Sequence, residues 1–260
     1  MSHAVQLAMS AFGLIACLAL LWFYIRGNLP GSRQLEGAAL PDARIAWFRR
    51  KAKEQALVMV AAPLAALAIS GHLALAFAPG AVVALFAYEV WMWTGLTGDD
   101  FALSFAWQPL VGLAAVILVL EAIPVLRGKG RSFMLGKVGW LLPRSLREAR
   151  WTALLSLGAG VGEELLFRAF IPLALATLGV PIVWAFLASC TIFAACHTYQ
   201  GWVGVLATGF LGLVLTAAYA TTYSLVTAMV LHVLIDLVGL VIRPLVGLGM
   251  QRIASRLRAA

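Results

Sequence analysis

The sequence predicts an all-α fold, a polytopic bundle of seven or eight transmembrane helices. Of its 260 residues, 63% are hydrophobic and only 12% are charged, and the mean hydropathy is +0.95. Soluble domains carry about 25% charged residues, so that class is excluded. The apolar runs are continuous rather than alternating, which is typical of membrane-spanning helices and not of strands.

All but one of the Lys and Arg residues lie in three stretches of the chain, the exception being Arg168. The net charge is +8, and the nineteen Lys and Arg residues include seven at 26–53, seven at 127–150 and four at 243–258. Basic clusters that flank apolar runs are typical of cytoplasmic loops facing anionic lipid, so no nucleic-acid partner is expected. The expected location is the cell (inner) membrane, multi-pass, with the basic loops and the C-terminal tail in the cytoplasm.

We expect four regions along the chain. Residues 1–126 hold the N-terminal transmembrane helices, with a basic loop at 26–54. Residues 127–150 form a second basic, cytoplasmic loop. Residues 140–243 form a helical core that carries the polar motifs described below, and residues 244–260 form a basic C-terminal tail.

The N-terminal region begins with a predicted span from His3 to Ile25. Within the first basic loop, Ala43 to Lys53 predicts a short amphipathic helix lying on the membrane surface. Residues 55–126 are nearly all apolar, and they divide into three spans or into two spans and a re-entrant segment at Ala81–Leu96. That segment is short for a full crossing, which leaves the count at seven or eight.

The C-terminal region contains four predicted spans separated by short turns. They are Trp151–Leu178, Pro181–Tyr199, Trp202–Thr221 and Tyr223–Ile242. Four crossings that start in the cytoplasm also end there, in agreement with the basic tail.

Three charged side chains lie inside the first of these four spans. Glu163, Glu164 and Arg168 interrupt an apolar run, and charge at membrane depth costs at least about 2.5–3.5 kcal/mol per residue. Glu164 and Arg168 are four residues apart and share a helix face, so they can pair. Glu163 and Arg168 lie about 140° apart around the helix. We therefore expect Glu164 to be the neutralised, structural carboxylate and Glu163 to be free for chemistry.

Two further polar pairs follow in later spans. His197 comes four residues after Phe193, and Asp236 comes one helical turn after His232, on the same face. Glu163, His197 and His232 thus belong to three separate apolar segments, which a bundle can bring together at its centre. Because burying so many polar groups is costly, we expect one shared active site within the membrane.

These motifs resemble the three signatures of the CPBP intramembrane protease family. They stand in the family's order, as Glu163-Glu164-x-x-x-Arg168, Phe193-x-x-x-His197 and His232-x-x-x-Asp236. The family includes the CAAX prenyl endopeptidases of the Rce1 type and bacterial Abi-type proteins, some of them linked to bacteriocins. The resemblance covers roughly residues 140–243, and it implies an intramembrane endopeptidase.

The resemblance also implies a division of labour within the site. Glu163 is the expected general base, and His197 would hold the same water and shuttle its proton. His232 and Asp236 are expected across the cavity, where they would polarise the substrate carbonyl. The family has Asn or Asp at the last position, and since an ionised Asp only accepts hydrogen bonds, Asp236 could instead orient His232. The remaining motif residues are expected to have supporting roles: Glu164, Arg168 and Phe193.

No cofactor is favoured, and zinc is the alternative. Glu163, His197, His232 and Asp236 are acceptable zinc ligands, with water in an open position. Some members of the family are described as metalloproteases, whereas the prenyl-endopeptidase branch has been argued to work as metal-free glutamate proteases. We prefer the metal-free interpretation because Glu163 cannot easily be both ligand and base.

The alternatives to this protease are a cysteine nucleophile and a non-catalytic membrane protein. Cys196 precedes His197, but neighbouring helix positions point about 100° apart, which disfavours a Cys–His nucleophile pair. The rival class is a non-catalytic membrane protein, either an immunity or scaffold factor or a proton-coupled transporter with a Glu–His relay. The expected partners are the lipid bilayer and a membrane-anchored protein or peptide substrate, and the motifs do not define its cleavage sequence or prenylation.

Overall fold

A computed structural model describes residues 2–37, 41–74, 80–94 and 137–249. Every regular element in these ranges is helical, which confirms the all-α prediction. The α-helices are α1 (His3–Gly37), α2 (Pro41–Gln55), α3 (Ala62–Ile69), α4 (Gly80–Thr94), α5 (Leu146–Glu164), α6 (Ile171–Thr177), α7 (Ile182–Cys196), α8 (Gly201–Thr222) and α9 (Leu225–Leu237). Between and after them lie π-helical turns at Ala56–Ala61, Leu165–Phe170 and Val238–Ile242, and 3₁₀ turns at Gly139–Leu141 and Thr198–Gln200.

The described helices have the length and apolarity of a membrane protein. Within the described ranges, four segments are long and apolar enough to cross a bilayer: His3–Gly27, Asp42–Ile69, Thr198–Thr222 and Leu225–Gly249. Helix α7 is apolar but shorter. Residues 95–136, which include one predicted span, and most of the basic tail lie outside the described residues. The total of seven or eight spans therefore stays a prediction.

Residues 26–54, expected as a basic loop with a surface helix, are helical wherever they are described. Helix α1 continues to Gly37, and α2 runs through the first π-helical turn into α3 as one rod. Trp47 and Phe48 are buried as expected, but they pack against Trp140 of the protein rather than against lipid. The apolar face of α2 therefore forms part of an interface within the protein.

A buried ion pair fixes α2 to the start of α5. The guanidinium of Arg44 donates from Nε to Oε2 of Glu148 at 3.1 Å, and both side chains are almost fully buried. Its other nitrogens donate to the backbone oxygens of Trp140 and Leu142. Ser145 caps α5 by accepting a hydrogen bond from the backbone N–H of Glu148. Arg44 therefore satisfies both the carboxylate and two carbonyls, which makes burial of the charge tolerable.

Helix α4 is joined to α7 by a carboxylate cap. Both carboxylate oxygens of Glu89 accept from backbone N–H groups of the first turn of α7, at 3.3 Å from Ile182 and 3.1 Å from Val183. These N–H groups have no partner within their own helix, and the positive end of the helix dipole favours a carboxylate there. Glu89 therefore has a structural partner in the bundle.

Helix α5 is the central rod, and its glycines allow close contact with neighbours on two sides. A Cβ at Gly160 would lie 2.7 Å from the backbone nitrogen of Val233 on α9. A Cβ at Gly162 would lie 2.9 Å from Cβ of Met59 in the first π-helical turn. The two contacts bring α9 and the α2–α3 rod against the end of α5 that carries the paired glutamates.

Candidate active site

The two glutamates of the first motif end α5 and lead into a buried π-helical turn. Glu163 is 8% exposed and Glu164 is fully buried. All six residues of the π-helical turn Leu165–Phe170 are buried as well. Single π-helical turns inside α-helices occur frequently at functional sites, where they redirect side chains. Here the turn separates the glutamates from α6 and contains Arg168.

Glu164 is the centre of a buried polar network. Its Oε1 accepts from Nη1 of Arg168 at 2.9 Å and from Nδ1 of His232 at 2.7 Å. Arg168 also donates from Nη2 to the backbone oxygen of Gly212 on α8 at 3.0 Å, and its guanidinium lies 4.6 Å from the ring centroid of Phe193. The expected pairing of Glu164 with Arg168 is thus present, and it ties α5 to α7, α8 and α9.

The bond to Glu164 determines which nitrogen of His232 faces the other glutamate. Because the carboxylate accepts, Nδ1 of His232 carries the proton, and the imidazole presents Nε2 on its far side. Nε2 lies 3.8 Å from Oε2 of Glu163, a separation for electrostatic contact rather than a direct hydrogen bond. His232 therefore stands between the buried carboxylate and the free one.

His197 is held in a defined tautomer at the end of α7. Its Nδ1 lies 2.8 Å from the backbone oxygen of Phe193, and since a carbonyl can only accept, Nδ1 is the donor. The ring packs edge-on against the Phe193 ring, with centroids 4.9 Å apart. The Nε2 of the neutral imidazole is left as a hydrogen-bond acceptor, which is the form that can orient a water molecule.

Glu163 and His197 come together at a small cavity. Its volume is about 40 Å³, and it is lined by Tyr24, Ile25, Met59, Glu163, Phe167, Cys196, His197 and Tyr199. A cavity needs roughly 10–15 Å³ to hold one water, so this one has room for a catalytic water. The walls come from α1, the first π-helical turn, the α5 end and the α7 end, so the cavity exists only in the assembled bundle.

His232 and Asp236 are expected across the cavity, where they would polarise the substrate carbonyl. Neither is among the residues that line it. His232 lies behind Glu163 because its Nδ1 bonds to Glu164. Asp236, one turn further along α9, is half-buried and makes no side-chain hydrogen bond to another described residue. The third motif therefore contacts the first motif, and through it the cavity.

The four residues expected as alternative zinc ligands do not form a compact set. In the described part of the chain, no group of three or more His, Cys, Asp or Glu side chains is arranged to hold a metal ion. The Nδ1 atoms of His197 and His232 already bond to Phe193 and Glu164. These bonds leave both Nε2 atoms open, which is also how metal-ligating imidazoles are held. The preference for a metal-free site therefore stays a prediction, and the reaction proposed for the site assigns no step to a metal.

The sequence motifs did not include several residues of the cavity wall. Tyr24 and Met59 belong to the N-terminal region, where the resemblance does not extend, and no local pattern marks them. Tyr199 comes two residues after His197, at the polar end of an apolar run. That position, close to a motif histidine and at a helix boundary, is the one signal that could have identified it.

The close approach of α9 to Gly160 yields a first prediction. Gly160→Ala is expected to lower stability by about 1–3 kcal/mol through overpacking against Val233. The substitution should also move His232, which precedes Val233 on α9, away from Glu164. Activity per folded molecule should therefore fall. The checks are thermal unfolding in detergent and specific activity. Gly239→Ala is the matched control, since no atom lies within 4 Å of a Cβ there; an unchanged melting temperature for Gly160→Ala would contradict the packing argument.

The fold and this centre define a helical membrane protein with a buried carboxylate–imidazole site. Residues 145–238, about a third of the chain, match the family model for type II CAAX prenyl endopeptidase Rce1-like proteins. The match confirms the resemblance drawn from the three motifs, and it places this domain in the CPBP/CAAX protease family. It indicates a CAAX-type protease. No curated protein and no solved structure matches the chain.

Proposed function

We propose that this protein is an intramembrane endopeptidase that hydrolyses a peptide bond with water activated by Glu163 and His197. One observation carries the proposal. These two side chains share a cavity of water-molecule size, while Glu164, Arg168 and His232 are engaged with one another. The site thus contains a carboxylate without a strong partner beside a neutral imidazole acceptor, which is the pairing that general-base hydrolysis needs.

The proposed reaction begins with a water molecule held between Glu163 and Nε2 of His197. The carboxylate of Glu163 takes a proton as the water oxygen attacks the carbonyl carbon of the substrate. The same proton is then given to the leaving amine as the carbon–nitrogen bond breaks. The low dielectric around buried groups strengthens each of these electrostatic contacts relative to bulk water.

The network around Glu164 has a positioning role in this proposal. Arg168 neutralises Glu164, so the second carboxylate next to Glu163 does not add an uncompensated charge. His232 bonds to that neutralised pair and presents Nε2 to Glu163 at 3.8 Å. A contact at this distance can tighten when the substrate is bound, and it orients the carboxylate of Glu163 toward the cavity.

The proposed substrate is a membrane-associated protein or peptide. The matching family model is that of type II CAAX prenyl endopeptidases, so a prenylated C-terminal sequence is one substrate class. A bacteriocin-type peptide or a signal peptide is another. Exposed basic residues lie in the second half of α1, in α2 and at the start of α5, among them Arg26, Arg49 and Arg147. We place this end in the cytoplasm of a multi-pass inner-membrane protein.

The test compares newly formed peptide ends in cell membranes that contain either the unchanged protein or Glu163→Gln. An endopeptidase produces a set of protein termini that depends on Glu163. If the protein only binds or transports, membranes with the unchanged protein and membranes with Glu163→Gln contain the same termini. That result would overturn the proposal. The sequences around the new termini identify the substrate and its cleavage site.

Metal dependence is a separate prediction. Purified protein treated with a strong chelator and then freed of it should cleave at the original rate, because Glu163 acts as base rather than as a zinc ligand. The measurement is the initial rate before and after treatment, with metal content determined in parallel. A loss of activity that added zinc restores would show that the preference for a metal-free mechanism is wrong.

A further inference from the structure

The cavity contains a hydrogen-bond donor that belongs to none of the three motifs, the phenol of Tyr199. Tyr199 lies in the 3₁₀ turn after α7 and lines the cavity with Glu163 and His197. Its ring centroid lies 5.7 Å from that of His197 and 6.0 Å from that of Trp140. The two aromatic contacts hold the phenol at the cavity wall.

The hydroxyl proton of Tyr199 is available to a bound group. Nε2 of Gln200 donates to the phenol oxygen at 3.2 Å, so in this bond the oxygen acts as the acceptor. A phenol has one O–H donor of its own. Among the described residues, this hydroxyl donates no hydrogen bond to a protein acceptor. The neighbouring amide thus occupies a lone pair and leaves the proton for the cavity.

Apart from Tyr24, the other side chains at the cavity offer no equivalent donor. Three of them are apolar: Ile25, Met59 and Phe167. The thiol of Cys196 is a weak donor, and Glu163 and His197 are assigned to the water. His232, the expected donor to the substrate carbonyl, is bonded to Glu164 through Nδ1, its Nε2 lies near Glu163, and it is not among the residues that line the cavity. Tyr24 is the second phenol of the cavity, and it is the competitor that the experiment must separate from Tyr199.

We propose that the Tyr199 hydroxyl stabilises the oxyanion of the tetrahedral intermediate. This inference rests on the proposed endopeptidase function. When the water oxygen adds to the carbonyl carbon, the π electron pair moves onto the carbonyl oxygen, which then accepts a hydrogen bond from the phenol. Tyr199 keeps its proton throughout. The electron pair returns as the carbon–nitrogen bond breaks, and the amine leaves with the proton that Glu163 took from water.

The test is Tyr199→Phe, which keeps the ring against His197 and Trp140 and removes only the hydroxyl. The probe is a synthetic peptide spanning the fastest cleavage site that depends on Glu163. We expect kcat to fall by about 10²–10³-fold, because a preorganised oxyanion donor contributes that much, with KM nearly unchanged. A merely structural role would lower the melting temperature and the yield of folded protein, while kcat per folded molecule would stay the same.

Tyr219→Phe is the matched control. Tyr219 is a buried phenol on α8 that packs against Phe186 and is not among the residues of the cavity, so kcat should not change. An unchanged kcat for Tyr199→Phe overturns the inference, and so does a loss that follows Tyr24→Phe instead. The absence of any Glu163-dependent terminus in cell membranes is a different result, and it overturns the proposed function itself.

Discussion

Glu163→Gln is expected to lower kcat by about 10²–10⁴-fold and to leave the protein folded, because an amide of the same shape cannot accept the proton of the attacking water. The side chain of Glu163 lines the cavity, and its nearest oppositely charged group among the described residues is His232, at 3.8 Å. Its replacement therefore removes chemistry with little loss of packing. KM should change far less than kcat.

The measurement is cleavage of the identified peptide under single-turnover conditions, normalised to folded protein. Glu89→Gln is the matched control, since Glu89 caps α7 outside the cavity and the amide oxygen can still accept from one of its two backbone partners. We expect activity like that of the unchanged protein. A Glu163→Gln protein that cleaves at an undiminished rate would remove the general base from the mechanism, and with it the assignment of the cavity as the active site.

Arg168→Met is expected to lower the free energy of unfolding by about 3–5 kcal/mol, because it leaves the carboxylate of Glu164 buried without its cation. Arg168 is 1% exposed, and it bonds to both Glu164 and the backbone oxygen of Gly212. Methionine fills much of the same volume, so the loss reports on charge and hydrogen bonding rather than on a cavity.

The effect is measured by thermal or denaturant unfolding in detergent. Arg147→Met is the control, because Arg147 pairs with Asp42 at the surface and both side chains are mostly exposed; surface pairs contribute about 0–1 kcal/mol. The double variant Glu164→Gln with Arg168→Met should be more stable than Arg168→Met alone, since no charge is then left unpaired. A double variant less stable than the single one would contradict the account of Glu164 as a neutralised carboxylate.

The predictable part of the site is the part that depends on local helix geometry. Glu164 and Arg168 are one turn apart, so their contact follows from the helical repeat. The same geometry keeps Glu163 out of that pair. Because polar side chains are costly to bury in a membrane, the polar residues of three apolar segments are expected to share one centre. Those arguments use spacing and hydropathy, both of which can be read from the chain.

The partner of His232 could not be predicted in this way. Its Nδ1 bonds to Glu164, which is 68 residues earlier in the chain. That bond depends on the close approach of α9 to Gly160, which the sequence showed only as a small residue suited to helix packing. The expectation that His232 acts on the substrate across the cavity stays a prediction, since the structure shows its Nδ1 bonded to Glu164 and its side chain outside the cavity lining. The position of Asp236 outside the cavity lining has the same origin.

By itself, the sequence determined the class of this protein: a helical membrane protein whose first glutamate is free, whose second is paired with Arg168, and whose motifs are those of CAAX-type proteases. Hydropathy and the helical repeat are properties of short segments, so they can be read from the sequence without knowledge of the fold. Only the tertiary structure decided which side chains enclose the cavity. Tyr24, Met59 and Tyr199 meet Glu163 through contacts between helices distant in the chain, and such contacts depend on how whole helices pack.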